Sequence, residues 1–87
     1  MNLETENIID KINETLVNEF EVDRDLIAAD MNLRDTLDLD SLDYVDLVVI
    51  IESKFGVKLV ESDFVGIVTF QDFYNLILQK IAAKQGK

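Results

Sequence analysis

Asp40-Ser41-Leu42-Asp43-Tyr44-Val45-Asp46-Leu47-Val48-Val49-Ile50-Ile51-Glu52-Ser53-Lys54-Phe55-Gly56 is the stretch from which the fold is read. Asp40 is a good helix N-cap, and Asp43 stands three residues on, where the second member of a capping box belongs. Gly56 follows Phe55 as a natural C′ residue. The spacing therefore predicts a helix over 40–55. A helix turns roughly 100° per residue, so Tyr44, Leu47, Val48, Ile51 and Phe55 share one face and form a core stripe. Leu42, Val45 and Val49 fall nearly opposite, with Asp46 and Glu52 on either side and Ser41 at the edge. These three apolar residues cannot reach the same core. Asp35, Asp38, Asp40, Asp43, Asp46 and Glu52 surround them, and 35–53 holds no Lys or Arg. An acidic solvated face explains this pattern in the simplest way. The functional alternative is a docking surface, with apolar anchors for contact area and acids that steer a basic partner.

The remaining segments follow from the same periodicity. Ile8, Ile9, Ile12, Leu16, Val17 and Phe20 predict a first helix over 4–20, with Glu4 and Glu6 at its positive end. Residues 21–40 show no sustained period. Val22, Leu26, Ile27, Met31, Leu33 and Leu37 read as pegs that pin a long loop to the core, with a short helical turn near 23–28. Residues 57–60 read as a connector, since no second strand is available to pair with them. Residues 61–65 can form one or two helical turns, stopped by Gly66. Thr69, with Asp72 three residues on, caps a last helix striped by Phe70, Phe73, Tyr74, Ile77 and Ile81. Lys80, Lys84 and Lys87 suit its negative end. The expected fold is all-α, a four-helix bundle of three long helices and one short third helix, in a single domain over 1–87.

Composition excludes whole classes of function. The chain has 87 residues, 48% of them hydrophobic, which is enough for one core and too apolar for a disordered acidic tail. Eighteen Asp and Glu against eight Lys and Arg give a formal charge of −10. That balance opposes contact with nucleic-acid phosphates and with anionic lipid, both of which rely on Lys and Arg. There is no Cys and no His, so thiolate metal sites, disulfides and the commonest general base are absent. Asp38, Asp40 and Asp43 do not make a calcium loop, because Leu42 falls at the fifth position and Asp43 at the sixth, where an EF-hand has a ligand and a glycine. No metal site is expected. No apolar run reaches the length of a membrane span, and the acidic Met1-Asn2-Leu3-Glu4 start does not read as a signal peptide. A cytoplasmic, non-enzymatic monomer is expected.

Asp40-Ser41-Leu42-Asp43, opening an acidic helix after a long loop, resembles the Asp-Ser-Leu signature of acyl carrier proteins. The resemblance extends through Tyr44-Val45-Asp46-Leu47-Val48, Glu52-Ser53-Lys54-Phe55-Gly56 and Ile67-Val68-Thr69-Phe70, and so covers nearly the whole chain. It implies a discrete carrier in fatty-acid or polyketide-type biosynthesis. A phosphopantetheinyl transferase would move 4′-phosphopantetheine from coenzyme A onto a serine, here Ser41, and acyl chains would ride on the arm as thioesters. With no His to activate Ser41, the base and the metal must come from the transferase. A hydroxyl at the first helical position would lie near free N–H groups that suit a phosphodiester. Asp40 would cap the helix and, by the resemblance, help the transferase grip the site. Leu42, Val45, Asp46, Val49, Glu52 and Ile67 match family positions that contact partner enzymes: ketoacyl synthases, reductases, dehydratases or acyltransferases with basic docking patches.

The chain also departs from the family pattern. The family usually has a glycine close before its Asp-Ser pair, whereas this run is Leu37-Asp38-Leu39-Asp40. Tyr44, Phe64 and Phe73 are bulky where housekeeping carriers often have small residues. They are expected to fill the core; if they lined an acyl cleft, it would suit short, unsaturated or aromatic chains. Two other readings keep the same fold: an unmodified helical adaptor, and an aminoacyl or peptidyl carrier. The intact Asp40-Ser41-Leu42 opposes the first and the strong acidity opposes the second.

Overall fold

The computed structural model describes residues 3–85, with side chains from Thr5 to Lys84. Three long helices form the frame: α1 (Leu3–Phe20), α3 (Ser41–Phe55) and α4 (Phe70–Gln85), with a five-residue helix, α2 (Leu33–Leu37), between the first two. Two 3-10 turns, Arg24–Leu26 and Glu61–Phe64, complete the order. The short third helix expected over 61–65 is thus a 3-10 turn. Gly66 is not in the left-handed region, so it does not stop that turn by a positive φ. The dipole roles expected of Glu4 and Lys87 lie outside the described side chains.

The helix ends follow the local chemistry. Asp40 Oδ1 accepts from the N–H groups of Leu42 and Asp43, both at 3.0 Å, and Asp43 Oδ2 accepts from Asp40 N at 3.1 Å. That reciprocal pair satisfies donors a helix start leaves open. Gly56 closes α3 at φ 68, where a Cβ would be strained. Asp38 ends α2 at φ 55, so an aspartate occupies the left-handed position that a glycine would take without strain. The sequence reading missed α2, although its signal is present: Asn32 caps it by accepting from Asp35 N at 2.9 Å.

Ile12 and Leu16 of α1, Leu47 and Ile51 of α3, and Phe70, Phe73 and Ile77 of α4 are fully buried together. Each such side chain contributes about 1.5–3 kcal/mol through removal from water. Tyr74 joins them, and its hydroxyl donates to Asn13 Oδ1. The pegs of 21–40 divide. Leu33 and Leu37 are buried, and Val22 and Ile27 pack against the core, but Leu26 and Met31 are exposed. Leu39, not counted among the pegs, is buried as well.

The long loop is ordered by backbone chemistry. Phe70 N donates to Met31 O at 3.1 Å, Gln71 N to Ala29 O at 2.9 Å, and Leu33 N to Val68 O at 2.9 Å. Asp72 N donates to Thr69 Oγ1, and Asp72 Oδ2 accepts from Thr69 N and Val68 N. The loop's carbonyls therefore cap α4 alongside its own Thr69–Asp72 box. At the other end, Lys84 reaches away from its own helix terminus. Its Nζ donates to Gly56 O at 2.9 Å and so caps α3 instead. Lys80 likewise pairs with Asp63.

Candidate functional site

Ser41 is the first residue of α3 and is exposed, with its position fixed by the Asp40–Asp43 capping box. One expectation changes here. The N–H groups of Leu42 and Asp43, read as free to meet a phosphodiester, are already taken by Asp40. What the helix start still offers an anion at Ser41 is the N–H of Ser41 itself and the field of the helix dipole.

Leu42, Val45 and Val49 stand 75%, 59% and 59% exposed, and Asp46 is exposed beside them. A helix that buries Leu47 and Ile51 completely therefore leaves a second apolar strip in water. Glu52 differs from Asp46. It is half-buried, and its Oε2 accepts from Leu59 N at 3.0 Å, holding the 57–60 connector against α3. Ile67 is half-buried and its N–H donates to Phe64 O, so it is set apart from the α3 strip on the segment that follows the second 3-10 turn. Val65 and Val68, unflagged by the sequence reading, are 85% and 56% exposed on that same segment. Two exposed valines flanking Gly66 and Ile67 were the available signal.

A cleft of about 520 Å³ opens beside Ser41, lined by Tyr44, Val45, Val48 and Val49 of α3, and by Leu59, Glu61, Phe64 and Val65 across from them. Its volume is typical of a small-molecule site. Tyr44 and Phe64 thus do not serve only as core filling. They line this cleft and meet edge to face with centroids 5.5 Å apart and planes at 63°. Phe73 is the core residue of the three, fully buried and stacked on Phe64 at 6.3 Å. Val48, read as core, is half-buried and faces the cleft.

The wall that carries Phe64 is held by Asp63. Its Oδ2 accepts from Val60 N at 2.9 Å and lies 3.2 Å from Lys80 Nζ. The Val60 N–H, with Lys80 adding to it, holds the Asp63 carboxyl below its ordinary value against the opposing effect of partial burial. The N–H groups of Thr69 and Val68 do the same for Asp72. Among the described residues, no three carboxylates converge to hold a metal ion, and no helix is long and apolar enough to cross a membrane.

A serine with an accessible hydroxyl at the mouth of an apolar cleft can hold a group whose chain folds back into that cleft, and the polar rim with its apolar lining fits such an attachment. Comparison with known proteins agrees. A family model described as "Phosphopantetheine attachment site" matches residues 10–77. The chain is 34% identical over 76 residues to the acyl carrier protein of Petrotoga mobilis, covering 87% of this chain and 89% of that protein. It is 40% identical over 58 residues to that of Lactobacillus johnsonii, covering 67% and 72%. It is 37% identical over 76 residues to that of Thermotoga maritima, covering 87% and 94%.

Proposed function

The chain belongs to the phosphopantetheine-attachment family of carrier proteins, and from that premise we propose that Ser41 is the residue on which it carries its covalent 4′-phosphopantetheine group. The observation that carries this assignment is the position of Ser41, exposed at the start of α3 and on the lining of the apolar cleft. When bound, the group supplies the thiol on which acyl chains are held as thioesters. The protein is a discrete acyl carrier of fatty-acid or polyketide-type biosynthesis, acting as one carrier domain in the cytoplasm.

The chain's own residues do three things. Asp40 and Asp43 fix the first turn of α3 and hence the position of Ser41. The cleft shields an apolar cargo from water. Leu42, Val45, Val49 and Asp46, with Ile67 on the neighbouring segment, present the surface that partner enzymes meet. Those partners are a phosphopantetheinyl transferase and then synthases, reductases, dehydratases or acyltransferases with basic patches. Charge attraction speeds such encounters and is screened by salt. Glu52, committed to Leu59 N, supports the surface from behind more than it faces a partner. The chain is no catalyst in this reading: with no His, it lacks the commonest base that activates a serine.

The test is direct. Protein incubated with coenzyme A, magnesium and a transferase gains one phosphopantetheine by mass, and Ser41→Ala removes the gain. Modification of the Ala variant refutes the assignment. Full-length wild-type protein that no transferase modifies, while folded, favours an unmodified adaptor.

A further inference from the structure

We infer, on the footing that Ser41 carries the arm, that Tyr44 and Phe64 are the specificity-determining residues of the cleft and that they select a flat, conjugated or aromatic acyl chain over a saturated one of the same length. The cleft combines two kinds of lining. Val45, Val48, Val49 and Val65 are β-branched and stiff about χ1, so the aliphatic wall has little freedom to reshape itself around a bent chain. The aromatic part is fixed from both sides. Phe64 meets the Tyr44 ring edge to face at 5.5 Å, and stacks on the fully buried Phe73 at 6.3 Å and 28°. Turning Phe64 aside would break both contacts. Tyr44 and Phe64 are each only half-buried, so ring surface remains open for a cargo to cover.

A saturated chain covering those rings gains from leaving water, in proportion to area. A conjugated chain of equal length gains that and also an offset or edge-on contact between π systems. It has fewer rotatable bonds to freeze, so it loses less conformational entropy when held. Both effects favour the flat chain. Glu61 on the lining adds a second selection, since its carboxylate opposes a cargo that ends in a free acid.

The experiment uses pairs matched in carbon skeleton and differing only in unsaturation. The protein is loaded by a transferase with coenzyme A analogues whose thioester is replaced by a stable amide. The acyl groups are hexa-2,4-dienoyl against hexanoyl, and cinnamoyl against 3-cyclohexylpropanoyl. Mass confirms loading, and NMR measures the ratio of cleft-bound to solvent-exposed cargo through shifts of the Val48 and Leu59 methyl groups on the lining, which every variant keeps. The ratio is expected to be about 2- to 10-fold larger for the conjugated member of each pair, the range of an added aromatic contact. Phe64→Leu and Tyr44→Leu should erase the difference, while Tyr44→Phe, which keeps the ring, should retain it. Equal ratios within the pairs overturn the inference, as does a preference that survives in both Leu variants. Absence of any mass gain instead overturns the attachment at Ser41, and the inference falls with it.

Discussion

Asp40 is given two roles, and one pair of substitutions separates them. Its carboxylate accepts from Leu42 N and Asp43 N at 3.0 Å each, and its own N–H is taken by Asp43. Asp40→Ala removes the acceptor, leaving both N–H groups to water, and also the anchor that orients Asp43. Loss of such a cap costs about 1 kcal/mol. For a domain of this size, that lowers the melting temperature by about 4–8 °C. Asp40→Asn keeps a side-chain oxygen in place, and asparagine caps about as well as aspartate. Its melting temperature should stay within about 2 °C of the wild type by the same conversion. Both variants lose the negative charge beside Ser41, so both should be modified more slowly by the transferase in a single-turnover mass assay. The signature of two roles is an Asn variant with native stability and slowed modification. An Ala variant that melts with the wild type refutes the capping argument. An Asn variant modified at the native rate leaves Asp40 as a cap alone.

Four further outcomes follow from the geometry. Asp46→Lys should slow partner reactions at low salt, with stability changed by less than about 0.5 kcal/mol, since Asp46 is exposed; Glu52→Ala should instead lower denaturant stability by about 1 kcal/mol or more, because it leaves Leu59 N without its acceptor. Glu21 follows α1 at φ 54, a backbone that favours glycine, so Glu21→Gly should raise the urea midpoint, with a gain of about 0.5 kcal/mol after glycine's entropy cost is set against the strain relieved. The carboxyls of Asp63 and Asp72 are held below their ordinary value of 3.8 in the folded protein. Depressed folded values mean that the unfolded state takes up protons first, so their stabilisation is full above about pH 4 and fades as the pH falls further; an acid titration followed by circular dichroism should show Asp63→Asn and Asp72→Asn variants with a shallower loss below that pH.

How much was legible depended on where each signal resides. The start and stop of α3 were written locally, in Asp40, Asp43 and Gly56, and the wheel separated Leu47 and Ile51 from Leu42, Val45 and Val49 without any knowledge of neighbours. Ser41 was legible for the same reason. The cleft was not. Tyr44 and Phe64 lie twenty positions apart, and only the packing of the 57–64 segment against α3 brings their rings together. Glu52 looked like a surface acid because its partner is a backbone N–H seven residues on, a group every residue other than proline carries and no residue type advertises. The short helix at 33–37 had a readable cap in Asn32 and Asp35, but five residues are too few for a period to emerge.

The carbonyls of Ala29 and Met31 that cap the start of α4 have a consequence for how the protein comes apart. Phe70 and Gln71 cannot lose their acceptors unless the 29–33 strap lifts, and Leu33 cannot lose its acceptor unless Val68 moves. The amide protons of these three residues are therefore expected to exchange with solvent through a shared opening, and a protease that nicks the exposed Ala28–Ala29 bond would loosen the start of α4 as well as the loop.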